Sequence, residues 1–259
     1  MIRKATKKEK KEIIVLLEKE FNINDLIYIK KVLNLDNLYV YVENNVWYSF
    51  GFYKLIVDNY NNLLSNIYLL YTKSEYRNLG YIRKLIKGFN KLDLENKVKS
   101  SLILPTNNQI ALIFAKQGYV NITYREKNTY EYSSLGKLEI EETSNYKLLH
   151  KLYHQKFYSY YINRNLDYFK YLVKYSNFNI YLVKFHEKFL GYVIYDENNN
   201  LVKEIICEEK ILNVVLDNLC TKLHVSSLNY YEYGNGNNVY FLKKDYQLNN
   251  RDYYVNNLI

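Results

Sequence analysis

Only two cysteines occur in the 259 residues, Cys207 and Cys220, far apart and without Cys-x-x-Cys spacing. Neither a disulfide framework nor a cysteine-built metal site is indicated. No apolar run reaches membrane-spanning length, and the start carries charges where a secretory leader would carry an apolar core. Zinc-finger, helix-turn-helix and RNP signatures are all missing. The expectation from these absences is a cytoplasmic chain, not membrane-associated, with no bound metal.

What is present describes a globular protein. Hydrophobic residues make up 48% and charged residues 24%, a balance that supports buried cores and not disorder. The length allows one large domain or two of ordinary size. The 32 tyrosines accompany abundant Lys, Asn and Ile, as codons rich in A and T would give, so an isolated tyrosine stripe carries little functional weight. Lys and Arg number 36 against 27 Asp and Glu, a net charge of +9. Such a surface can attract nucleic acid, lipid or a small anionic ligand. Runs such as Lys7-Lys-Glu-Lys-Lys-Glu12 interleave the signs as a solvated helix face does, and nucleic-acid binding is not expected.

The most informative stretch is Tyr71-Thr-Lys-Ser-Glu-Tyr-Arg77-Asn-Leu-Gly80-Tyr-Ile-Arg83-Lys-Leu-Ile86. Upstream, Leu63-Leu64 and Ile67-Tyr68-Leu69-Leu70 read as a buried strand. Downstream, Ile82, Leu85, Ile86 and Phe89 recur at i, i+3, i+4 and i+7 and share one helical face. The turn between offers free backbone N–H groups at a helix N-terminus, a glycine for close approach and two arginines, the parts needed to hold a pyrophosphate. A helix that merely starts after a polar turn fits the same residues.

Arg77 and Gly80 match the [Arg/Gln]-x-x-Gly-x-[Gly/Ala] loop of the GNAT (Gcn5-related) N-acetyltransferases, with Ile82 in the last small position. The entry Met1-Ile-Arg-Lys-Ala-Thr6, followed by a helix bearing Ile13, Ile14, Leu16, Leu17 and Phe21, is similar to theirs. So is Asn107 to Phe114-Ala-Lys-Gln-Gly118-Tyr119, which follows a short strand at Ser101–Leu104. Gly80-Tyr-Ile-Arg83 resembles the Gly-Leu-Leu-Arg version of the Eis-like branch, in which a second, degenerate GNAT domain follows the first.

The first half reads β-α-α-β-β-β-α-β-α-β. Its second helix falls between Ile23 and Leu35, a hairpin joins 38–42 to 46–57, and closing strands lie near Ile122, Tyr124, Tyr130 and Tyr132. Ser133-Ser-Leu-Gly136 is the linker candidate. A second unit then repeats the element order: a strand at 138–140, helices through 148–153 and 168–175, a hairpin 180–185/189–195, a strand at 201–207 and a helix at 211–223. In place of the basic turn it has Cys207-Glu-Glu-Lys210, whose carboxylates suit a helix N-terminus but repel phosphate. Gly234-Asn-Gly-Asn-Asn238 reads as a hairpin turn before a strand at 239–242. The expectation is α/β: a GNAT fold over 1–135, a mixed and mostly antiparallel sheet flanked by helices, then a degenerate GNAT-like domain over 136–259 without a cofactor loop.

The resemblance implies acetyl-CoA as co-substrate and transfer of its acetyl group to a primary amine of a small molecule or a protein, by direct attack. It places the backbone of Leu70, Tyr71 and Thr72 on the pantetheine amides. Arg77, Asn78, Leu79, Gly80, Tyr81, Ile82 and Arg83 are placed around the pyrophosphate, with Phe114 and Ala115 beside the cofactor. Phe114 stands where many family members have an acidic tyrosine, which favours a catalytically inactive acyl-CoA-binding protein. Tyr119 matches the tyrosine that the Eis-like branch uses as general acid, and it reads equally as a core residue. The same branch uses its C-terminal carboxylate as base, here Ile259. His150 and His154, one turn apart, read as a metal pair without a third ligand or as a surface pair. Glu43 reads as a cleft residue or as a turn glutamate, and self-association of the chain stays open.

Overall fold

The computed structural model describes residues 1–21, 29, 33–105, 108–155, 161–234 and 239–245. Its elements begin with β1 (Ile2–Lys4), α1 (Lys7–Phe21), β2 (Leu38–Glu43), β3 (Val46–Val57), β4 (Leu63–Thr72), α2 (Tyr81–Glu95), β5 (Ser100–Ile103), α3 (Asn108–Ala115) and β6 (Val120–Glu131). They continue with β7 (Glu139–Glu142), α4 (Tyr146–Tyr153), α5 (Leu166–Tyr175), β8 (Asn179–Phe185), β9 (Lys188–Asp196), β10 (Leu201–Ile206), α6 (Leu212–Leu223), β11 (Ser227–Gly234) and β12 (Val239–Asp245). Among the described residues the chain forms two compact units, 1–123 with 239–245, and 124–234.

In the first unit the strand order is β1-β2-β3-β4-β5-β12. Every pair is antiparallel except β4 and β5, which run parallel from Leu64↔Ser100 to Ile67↔Ile103. The alternation in Leu38-Tyr-Val-Tyr-Val42 puts Leu38, Val40 and Val42 on one buried face. That face packs with Ile13 and Leu17 of α1 and with Ile29, Leu33, Phe50 and Phe52. The opposite face carries Tyr53, Ile67 and Ile103 against Leu85, Ile86 and Phe89 of α2 and Ala111 and Phe114 of α3. Each such fully buried side chain contributes about 1.5–3 kcal/mol. The register of α1 is fixed at its start by a capping box. The Thr6 N–H donates to Glu9 Oε2 at 2.7 Å, the Glu9 N–H to Thr6 Oγ1 at 3.3 Å, and Arg3 reaches both Glu9 oxygens at 2.8 Å. Of the second expected helix, residues 22–28 and 30–32 lie outside the described residues.

The second unit repeats this plan: β7, two helices, β8, β9, β10, helix α6, β11. Its order is β6-β11-β10-β9-β8-β7, and its one parallel pair, β10 with β11, joins Leu201↔Asn229 and Val202↔Tyr230. Cores form on both faces, around Val183, Val193, Val215 and Leu219 on one and Leu149, Phe169, Tyr192 and Ile194 on the other.

Three expectations about organisation are corrected. The boundary lies at 123/124, because residues 124–131 of β6 pair with β11. Ser133 to Leu135 is no free linker: Asp217 of α6 accepts from the N–H groups of Ser133 (2.8 Å), Ser134 (3.0 Å) and Leu135 (2.7 Å). Finally, β11 and β12 form no hairpin, since both edges of β11 are taken by β10 and β6, and β12 pairs with β5 in the first unit.

Candidate functional site

The candidate site is the corner where β4 leaves its parallel partner. β5 ends at Ile103, opposite Ile67, whereas β4 runs on to Thr72. The β5-side edge of residues 68–72 has no strand partner among the described residues. Two steps of β3 (Phe50 to Phe52) span three steps of β4 (Tyr71 to Tyr68), so β4 bulges there. Leu69 takes the strain at φ 50°, a left-handed conformation that a bulky residue seldom adopts. The bulge inverts side-chain parity. Ile67 faces α2, Tyr68 and Leu69 both face α1, then Leu70 faces α2 and Tyr71 faces α1. Gly51 makes room for it, because a Cβ there would lie 2.3 Å from Leu70 Cδ2.

After Lys73 the chain makes a single 3-10 turn at Ser74–Tyr76, and Asn78 (φ 66°) and Gly80 (φ 80°) then take left-handed conformations. A Cβ on Gly80 would meet nothing within 4 Å, so the corner is open. The first helical bond runs from the Lys84 N–H to the Gly80 carbonyl at 3.1 Å, and Gly80 gives no side-chain cap. None of the N–H groups from Asn78 to Arg83 donates to an acceptor among the described residues. A run of free amides at a helix N-terminus concentrates positive potential.

Aromatic rings hold this start of α2 in place. Tyr48 stacks on Tyr81 at 4.3 Å and meets Tyr76 edge-on at 4.7 Å, while Ser49 Oγ donates to the Tyr81 carbonyl at 3.4 Å. Lys84 Nζ lies 4.8 Å from the centre of the Tyr81 ring and 3.4 Å from Glu43, so the Glu43 carboxylate is partnered by a lysine.

The structure brings most of the sequence-derived residues together. Leu70, Ile82, Phe114 and Tyr119 meet in one apolar cluster, and Tyr71 is buried on the α1 side beside Phe21 and Phe50. Thr72 is half-buried; Asn78, Leu79, Arg83 and Ala115 are exposed. Tyr119 is only 2% exposed, its hydroxyl sharing a 3.1 Å hydrogen bond with Ser101 Oγ and its ring 5.6 Å from Phe114. Arg77 points elsewhere. Its Nη2 lies 3.4 Å from Glu20 Oε2, its Nε 3.4 Å from the Thr72 carbonyl, and its guanidinium 5.4 Å from the Tyr71 ring centre. Ile259 and Asn107 lie outside the described residues.

Sequence reasoning missed the Leu69 bulge, the fit of Gly51 to it and the place of Glu20 beside Arg77. The run Tyr68-Leu-Leu-Tyr71 is apolar throughout and hides the parity change; Gly51 inside a strand was the available signal. His150 and His154 stand 4.5 Å apart between ring centres, and the His154 Nε2–H donates to the Arg164 carbonyl at 2.9 Å. No group of three metal-ligating side chains occurs among the described residues. No helix among them is long and apolar enough to cross a membrane.

The corresponding corner of the second unit is built otherwise. Cys207 is buried, its thiol pushed up to about 12 by that burial first and by Glu208 next. Glu208 and Lys210 pair at 2.6 Å, and Ile211 precedes α6 without a side-chain cap.

No protein-family model matches the sequence, and no curated protein matches it. Solved structures do match in fold. A GCN5-related N-acetyltransferase from Anabaena variabilis ATCC 29413 aligns with a TM-score of 0.74 at 14% identity, over 94% of this chain and 72% of that one. A conserved protein of unknown function from Enterococcus faecalis V583, described as a probable N-acyltransferase, gives 0.76 at 16% identity, over 94% and 71%. Eis1 from Mycobacterium abscessus gives 0.67 at 10% identity, over 95% and 73%. At such identities the likeness assigns the fold, and it spans both units: the chain folds as GCN5-related N-acetyltransferases do, Eis-like structures among them.

Proposed function

We propose that the first unit binds acetyl-CoA and transfers its acetyl group to a primary amine, small or protein-borne, by direct attack. The observation that carries this reading is the run of unpaired amides from Asn78 to Arg83 around an open, left-handed Gly80, at the end of a strand freed from its partner. A diphosphate would take those N–H groups as acceptor-only oxygens do at helix N-termini. The unpartnered edge of Leu70 to Thr72 offers backbone donors and acceptors to an amide-bearing arm. Acetyl-CoA supplies an activated acyl group with a thiolate leaving group. The chain must orient the amine, take up its proton and deliver one to the departing sulfur. Phe114 has no proton to give, so Tyr119 is the candidate acid.

A second reading has a specific observation in its favour. The Tyr119 hydroxyl is buried and already bonded to Ser101, which suits a protein that binds acyl-CoA without turning it over. Thiol release from acetyl-CoA, measured across a panel of primary amines, separates the two. Turnover is expected for the natural chain, falling about a hundredfold or more in Tyr119→Phe. Coenzyme A binding with no turnover on any amine would favour the second reading.

A further inference from the structure

Arg77 belongs to the turn that faces the free amides, yet its guanidinium is directed at a carboxylate on another element. Glu20 is in the last turn of α1, its side chain 28% exposed, and Arg77 Nη2 is 3.4 Å away. Beside the pair lies Tyr71, the β4 residue just past the bulge, over whose ring the guanidinium sits. Burial first and the Glu20 charge next raise the Tyr71 phenol above its ordinary range, so that hydroxyl stays protonated. The other carboxylates near this corner are engaged: Glu43 with Lys84, Glu75 with the Ser74 hydroxyl and Glu12 with the Trp47 indole N–H. Glu20 is thus an anionic group beside the strand end where acyl transfer is placed, in a chain of net charge +9.

Resting on the proposed transferase reading, we infer that Glu20 receives the ammonium of the acceptor amine and that Arg77 occupies Glu20 until a diphosphate claims its guanidinium. One guanidinium, held by 3.4 Å contacts with half of its side chain exposed, is an exchangeable partner for a carboxylate. Phosphate oxygens compete for it well, because two parallel N–H donors match them. Release of Glu20 then sets a carboxylate beside Tyr71, on the α1 face of β4. With Glu43, Glu75 and Glu12 held by their own partners, one released carboxylate suits an acceptor carrying one ammonium better than a polycation. The acceptor class inferred is therefore a monoamine or a single amine on an uncharged or acidic carrier.

The ion pair ties the two ligands together with opposite signs. Glu20→Gln leaves Arg77 free, so coenzyme A binds about two- to fivefold tighter by calorimetry. The same variant weakens Nα-acetyl-lysine amide, the one-ammonium probe, by tenfold or more in KM and in direct titration with coenzyme A present. Arg77→Ala weakens coenzyme A, and Glu20→Gln added to it gives no tightening. A variant that only loosened the fold would weaken both ligands. Coenzyme A affinity unchanged in Glu20→Gln, or spermidine preferred over the one-ammonium probe, overturns the inference and leaves the transferase reading standing. Absence of any coenzyme A binding to the natural chain overturns both.

Discussion

The two units share a strand order and one parallel pair each, yet they differ where β4 and β10 end. β4 is ten residues long and bulges at Leu69, and a basic turn then presents unpaired amides at the start of α2. β10 has six residues, with its irregularity near its beginning, between Val202 and Glu204, and no left-handed residue. Its turn has Glu208 and Glu209 where the first unit has Arg77 and Gly80. The second difference lies inside the strand. Glu204 of β10 is fully buried and takes both its oxygens to Arg164 Nη1 at 2.9 Å, with the Tyr192 hydroxyl at 2.6 Å. A strand end that is open in one unit is followed in the other by a paired acidic turn, behind a strand that carries a sealed ion pair. The same topology therefore leaves an open corner in one unit and a packed one in the other.

The buried pair offers the largest effect with which to test that contrast. Arg164→Met strands the Glu204 carboxylate in the core, and a loss of about 3–5 kcal/mol in denaturant unfolding is expected. The matching change at the half-exposed Arg77, Arg77→Met, is expected to cost less than about 1 kcal/mol. Equal losses would contradict the division into scaffold and site.

Two glycines sharpen the comparison next. A Cβ at Gly191 of β9 would lie 1.8 Å from the Ile206 carbonyl oxygen, whereas at Gly51 of β3 it meets the tip of the Leu70 side chain. A backbone atom cannot rotate away, and a leucine tip can. Gly191→Ala should lower stability by several kcal/mol and Gly51→Ala by about 1–3 kcal/mol. Gly51→Ala should also disturb the bulge and weaken coenzyme A binding, which Gly191→Ala in the other unit should not.

Acid tests the helix caps of the two units. Glu9, which caps α1, is held at about 2, first by the Arg3 hydrogen bonds, against an ordinary value of 4.5. A folded-state value below the unfolded one adds stability above pH 4.5, and this is lost as the pH falls from there towards 2. The first helix of the second unit is capped by Asn145, whose side-chain oxygen accepts from the Leu148 N–H at 3.1 Å and does not titrate. Exchange protection in α1 should therefore fall before that in α4 during acidification. Thr6→Ala should lower the stability of α1 by about 1 kcal/mol.

Much of this was legible in the sequence because local periodicities are strong. The alternation of Leu38–Val42, the helical spacing of Leu85, Ile86 and Phe89, and the hairpin of β8 and β9 fix elements within a few residues. The duplication was legible from element order alone. The partners of β6 and β12 were not, since strand pairing is a non-local choice and neither segment carries a register signal of its own. Ser133–Gly136 looked like a linker because small polar residues make turns; only the fold reveals Asp217 holding their amides. At the site, Gly80 and the helix after it were readable. The bulge was hidden in a uniformly apolar run, and Glu20 is one of many glutamates on a lysine-rich helix until β4 is brought against it.

The most direct test of the contrast between the two corners is a calorimetric titration with coenzyme A of the natural chain and of Gly80→Glu. One cofactor per chain is expected for the natural protein. In the variant, affinity should fall at least a hundredfold, about 3 kcal/mol, more than the loss of about 1–2 kcal/mol in stability that a side chain at this positive φ brings. Two equivalents bound, or an affinity that Gly80→Glu leaves intact, would contradict the assignment of the cofactor to the amides around residue 80.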